Sequence, residues 1–149
     1  MFVISDKPIS LDAVVAAVAS SQAGAITVFA GTTRDNSRGR RVLRLEYEAY
    51  GEMATVEFEK IGAEIKERWN ITDVAIVHRT GTVEIGESSV VIAVSAPHRR
   101  DSIEACHFAI DRLKTVAPIW KKEYFEGGEV WVGSLADCEH GDENDVESG

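Results

Sequence analysis

The chain is poor in the residues that usually announce chemistry: two cysteines, four histidines and three prolines among 149 residues. Cys106 and Cys138 belong to no CxxC pair, so neither a disulfide framework nor a structural zinc site is expected. Cys106 falls in an apolar helical pattern, where a free cysteine is more often core than nucleophile. The histidines lack HExxH or comparable spacing, and no metal site is expected. GxGxxG and GxxxxGK[ST] are both absent, which removes the Gly-rich phosphate loops. No apolar run approaches the roughly 20 residues of a membrane helix. The start shows no basic-then-apolar signal pattern, since Asp6 and Lys7 come too early. A soluble, cytoplasmic protein is the expectation. Internal repeats and Pro- or Ser-rich linkers are missing too.

What is present is an uneven charge. The net charge is −9. Six acids lie in the last fourteen residues (Asp137, Glu139, Asp142, Glu143, Asp145 and Glu147), and without them the body carries −3. No Lys or Arg follows Lys122. Residues 1–135 therefore read as one domain and 136–149 as a solvated acidic tail. The acidity argues against nucleic-acid binding. Dense basic stretches at Arg34–Arg44, His98–Arg100 and Arg112–Lys122 argue for a small anionic ligand.

Periodicity orders the elements. Ser10 is placed to cap a helix over 11–20. Ala25–Ala30 is a short β-like run, and the polar stretch 32–41 reads as a loop. Val42–Tyr50 alternates, with Leu43, Leu45, Tyr47 and Ala49 on one side. Ala54, Phe58, Ile61, Ile65 and Trp69 form one face of a helix over 52–69. Val74–His78 and Ser88–Ala96 read as strands around Gly81 and Gly86. Ile103, Cys106, Ile110 and Leu113 form the stripe of a second long helix over 101–115, which Pro118 ends. Ile119–Phe125 and Val130–Ser134 form a hairpin. Strands outnumber helices, and short turns join several of them. This predicts an α+β domain, mainly antiparallel, with two long helices and room for a small β subdomain.

Three basic clusters stand at element edges: Arg34, Pro97-His98-Arg99-Arg100 at a helix N-terminus, and Lys114 with Lys121 and Lys122. Backbone N–H groups at a helix start suit an anion. Lys114 adjoins Leu113 and borders the buried stripe. Strand parity places Lys121 with Ile119 and Glu123, opposite Trp120 and Lys122, so one of the two lysines faces the less solvated side. A lysine in a partly desolvated basic pocket has a lowered pKa and can act as base or nucleophile. Each residue also has a plain reading. A last-turn lysine answers the helix dipole, Arg34 is a loop arginine, and His78 and His107 are packed. The residues alone do not choose a reaction.

Five stretches together resemble the molybdopterin synthase large-subunit family. They are Gly24–Arg34; Leu45–Tyr50 with Met53-Ala54; His78–Gly81 with Gly86-Glu87; Ala96–Arg99; and Asp111–Lys114 through Pro118–Glu123. They occur in the family's order and span roughly residues 24 to 133. The resemblance implies a sulfurtransferase that uses no metal or nucleotide cofactor. Two sulfur atoms would pass from the thiocarboxylated C-terminal Gly-Gly tail of a small ubiquitin-like subunit to cyclic pyranopterin monophosphate. It also implies a central homodimer with a small subunit at each end, a heterotetramer. Lys114 and Lys121 match the family's reaction-centre lysines. Arg34, His98 and Arg99 are implied for the phosphate, with Thr32, Thr33, Lys122 and Glu123 adjoining. The chain departs from some members by ending in acids where they continue with basic residues. A non-catalytic scaffold gripping a ubiquitin-like tail, or a nucleic-acid binder using Arg34–Arg44, are the competing readings.

Overall fold

The computed structural model describes residues 1–134, with side chains through Val130. The predicted acidic tail and Cys138 lie outside the described residues. Nine strands and three helices are found among the described residues. One sheet contains β1 (Phe2–Ser5), β5 (Asp73–Arg79), β7 (Ser88–Ala96) and β2 (Ala25–Thr32), in the order β1-β5-β7-β2. The other runs β3 (Asn36–Ser37), β4 (Arg40–Ala49), β8 (Ile119–Phe125), β9 (Gly128–Ser134), with β6 (Gly81–Glu84) also on β4. Only β1 and β5 pair in parallel among the described residues. The fold is the predicted α+β, mostly antiparallel. Beside two 18-residue helices, α2 (Gly51–Arg68) and α3 (Arg99–Val116), stands a short α1 (Leu11–Val18).

The first sheet is covered on both faces. Val74, Ile76, Ile92 and Val94 pack into the main core with Phe58, Ile61 and Ile65 of α2 and Ala105, Ala109 and Leu113 of α3. The alternate residues Ala75, Val77, Val91 and Ala93 pack under Val14 and Val18 of α1. Burial on both sides explains why β5 and β7 read as nearly continuous apolar runs instead of alternating. α1 begins where Ser10 accepts a hydrogen bond from the Ala13 N–H at 3.2 Å.

Four features differ from the sequence reading. The stretch 32–41 is not all loop: β3 and β4 form a hairpin whose turn residues Arg38 (φ 54°) and Gly39 (φ 74°) are left-handed, as a two-residue hairpin turn requires. β4 has a register shift between Val42 and Arg44 against β8. The irregularity resets the alternation, burying Val42 and leaving Leu43 exposed. Ile103 is 54% exposed, although it belongs to the α3 stripe by spacing. β1 and β6 were not foreseen, because each is only four residues long.

Candidate active site

α3 ends, β2 ends and β8 begins around one cavity of about 210 Å³ at the junction of the two sheets. Lys114 is delivered by the last turn of α3 and stands half-buried beside the fully buried Leu113. The helix stops three residues later, where the Ala117 N–H closes on the Leu113 carbonyl at 2.9 Å and Pro118 follows. Lys121 comes from β8, two residues beyond Ile119. Its Nζ lies 3.3 Å from Glu123 Oε1, on the same strand face, and both line the cavity.

The other face of β8 is separate. Lys122 meets Glu129 at 3.2 Å and lies over the Tyr124 ring at 5.1 Å. The Glu129 hydrogen bond raises its pKa. Trp120 meets Tyr50 edge-on. The parity expected from sequence is the parity found, and it turns Lys121 to the cavity and Lys122 away.

Arg34 also lines the cavity, from the loop after β2. That loop is clamped through its neighbour. The Thr33 N–H donates to the Glu87 carbonyl at 3.0 Å, and the Gly86 N–H donates to the Thr33 carbonyl at 2.9 Å. The Glu87 carboxylate in turn accepts from the buried Arg79 Nη1 at 3.1 Å and from the Glu84 N–H at 3.0 Å. Thr32 lines the cavity, whereas the Thr33 hydroxyl is buried without a partner.

His98 and Arg99 stand elsewhere. Both are exposed at the N-terminus of α3, and the His98 side chain makes no cap bond. Fifteen residues of helix separate Arg99 from Lys114, a rise of about 22 Å. Within one chain they do not join Arg34, Lys114 and Lys121.

Two residues taken from sequence as packing groups line the cavity as well. Tyr47 and His78 meet edge-on with ring centroids 5.0 Å apart. His78 is fully buried, and its Nδ1 lies 2.7 Å from the Arg79 carbonyl oxygen. Burial lowers its pKa from the ordinary 6.5 to about 4, and the carbonyl bond offsets only part of that. The only signal in the sequence was the place of His78 in the His78–Gly81 stretch.

Cys106 is buried, and desolvation pushes its thiol to about 11, so it is not a ready nucleophile. No group of three metal-ligating side chains occurs among the described residues, and none of their helices is long and apolar enough to cross a membrane.

Three cations thus surround a half-apolar cavity with a single, already paired carboxylate. The fold and the cavity define an α+β protein with a cationic cavity at the meeting point of two sheets. Residues 4–116 match the family model described as MoaE protein. A Bacillus subtilis (strain 168) protein named molybdopterin synthase catalytic subunit is 50% identical over 132 residues, covering 89% of this chain and 84% of the relative. A human protein of the same name is 47% identical over 128 residues, covering 86% and 68%. The crystal structure of molybdopterin synthase from Staphylococcus aureus superposes with a TM-score of 0.85 at 41% identity, covering 89% of this chain and 96% of that one. The chain belongs to the MoaE family.

Proposed function

We propose that this chain is the catalytic subunit of a molybdopterin synthase. It moves sulfur from the thiocarboxylated C-terminus of a small ubiquitin-like carrier to cyclic pyranopterin monophosphate, forming the dithiolene. The observation that carries the reading is the convergence of Arg34, Lys114 and Lys121 on one cavity from three separated parts of the chain. The cyclic phosphate and the thiocarboxylate are both anions, and a cationic wall attracts each. Arginine's planar fork suits the phosphate. Sulfur attack leaves an acyl linkage between carrier and pterin, and its cleavage develops oxyanion charge that Lys114 and Lys121 stabilise. Glu123 keeps Lys121 aimed into the cavity. Thr32 lines its wall and Thr33 holds the Arg34 loop through its backbone, while Lys122 stands on the opposite face of β8.

A second copy brings in His98 and Arg99. β2 is a sheet edge, and the groove between it and α3 continues into the cavity through Phe29, Ile110 and Lys114. Along it stand Val28, 38% exposed, and Ile103. A two-fold axis near the middle of this groove sets α3 antiparallel to its copy. His98 and Arg99 of the partner subunit then meet Lys114 of this one. The working unit is 1–135, two such units form the centre of a heterotetramer with two carriers, and the assembly acts in the cytoplasm.

The test is direct: purified protein, the thiocarboxylated carrier and the pterin precursor. Dithiolene product is expected. Absence of product with a correctly folded pair ends the proposal, and product formation unaffected by Lys114→Ala ends the role given to that residue. The scaffold reading is favoured instead if Arg34→Ala abolishes pterin binding while full biological function remains.

A further inference from the structure

The cavity offers abundant positive charge and almost no base. Ammonium and guanidinium groups donate hydrogen bonds and accept none, so Arg34, Lys114 and Lys121 can stabilise negative charge but cannot take a proton in that state. Glu123 can accept, but its carboxylate is held by Lys121 at 3.3 Å. Cleavage of the acyl linkage needs an acceptor, because the attacking water must shed a proton as its oxygen bonds to carbon.

His78 has the required form. A backbone carbonyl only accepts hydrogen bonds, so at 2.7 Å from the Arg79 oxygen the Nδ1 must carry the hydrogen. Complete burial keeps the ring neutral at neutral pH. A neutral ring with hydrogen on Nδ1 has its lone pair on Nε2. The ring is fixed further. Tyr47 packs against it in a T-shaped contact with centroids 5.0 Å apart, and Arg79, whose carbonyl sets the tautomer, is itself held by Glu87 at 3.1 Å and by the Thr82 carbonyl at 2.8 Å. His78 lines the same cavity as both lysines.

We infer that His78 Nε2 receives the proton of the water that cleaves the acyl linkage between carrier tail and pterin sulfur; the inference rests on the sulfur-transfer reading above. The water oxygen bonds to the acyl carbon. The carbon–sulfur bond breaks, and its electron pair stays on the pterin sulfur. One water proton passes to Nε2 and on to solvent, and the second leaves when the new carboxylic acid ionises. No oxidant or reductant is involved. Anionic ligands in the cavity favour the protonated ring, so binding of the carrier and pterin raises the basicity of Nε2 when it is needed. The lysines hold the oxyanion and His78 takes the proton.

The experiment is a single turnover of His78→Asn with thiocarboxylated carrier and pterin precursor, followed by mass spectrometry of the carrier. The asparagine amide can still donate to the Arg79 carbonyl but places no acceptor at Nε2. Adduct formation is expected within a few-fold of wild type, with breakdown slowed roughly 10²- to 10⁴-fold, so that the carrier–pterin adduct accumulates. Adduct breakdown at the wild-type rate overturns the inference. So does an equal loss of formation and breakdown, which marks a structural role only. Should the variant not fold, ¹⁵N NMR of the wild-type imidazole decides: a hydrogen-free Nε2 supports the inference, and a hydrogen on Nε2 at neutral pH overturns it. Wild-type protein that yields neither adduct nor dithiolene refutes the sulfur-transfer reading itself, which is a separate result.

Discussion

Lys121 and Glu123 stand two residues apart on β8 and form a 3.3 Å ion pair inside the cavity wall. The pair lets a lysine be presented to an interior site without leaving its charge unanswered. Glu123→Gln keeps the shape and removes the counter-charge. Activity is expected to fall about tenfold through misplacement of Lys121, and stability by about 1–3 kcal/mol. Steady-state kinetics beside a denaturant titration measure both; unchanged kinetics would show that Lys121 needs no such anchor.

Lys114→Ala separates chemistry from folding. The side chain lies half-buried at the end of α3, beyond the packed stripe. The melting temperature is expected to hold, while turnover falls roughly 10²- to 10³-fold, as for removal of one oxyanion-stabilising donor.

His78 links acidity to stability. Its pKa is about 4 when folded against an ordinary 6.5, so the unfolded chain takes up this proton first as pH falls. Above about pH 6.5 the group contributes nothing to pH dependence. Between 6.5 and 4 it progressively destabilises the fold, by about 3 kcal/mol in total. The difference in unfolding free energy between wild type and His78→Asn, followed across that window, should show this slope and be flat above it.

Mixing two inactive variants tests the shared site. If Arg99 of the partner subunit completes each cavity, a dimer of one Arg99→Ala chain and one Lys114→Ala chain has one intact site. Random exchange should restore roughly a quarter of wild-type activity. No recovery, with exchange verified by mass spectrometry, would place Arg99 outside the site.

Gly62 reports on how β1 is seated. A Cβ there would meet the Phe2 ring at 2.6 Å. Gly62→Ala should therefore lower stability by about 1–3 kcal/mol despite its better helix propensity. Calorimetry would show the loss; a stabilised variant would mean that Phe2 swings aside.

Much of this was legible along the chain. The Ala54, Phe58, Ile61 and Ile65 stripe, the Ser10 cap and the β8 alternation that separates Lys121 from Lys122 are each set within a few residues. Periodicity and capping are local, so a linear reading recovers them. The Ile103 misreading shows the limit: helical spacing gives a face, but not whether anything covers it. Leu43 shows another, since the irregularity in β4 exists only against β8.

The sequence by itself determined the class of fold, the edges where basic residues gather and the opposite faces that Lys121 and Lys122 take. Only tertiary structure decided which of them meet. Arg34 and Lys114 share a cavity because β2 packs on α3, and Lys121 joins because β8 pairs with β4. It also brought His78 to the same place, a residue whose proton is governed by burial and by one carbonyl. Pairing across tens of residues and the loss of solvent are properties of the packed molecule, and no local pattern in the chain encodes them.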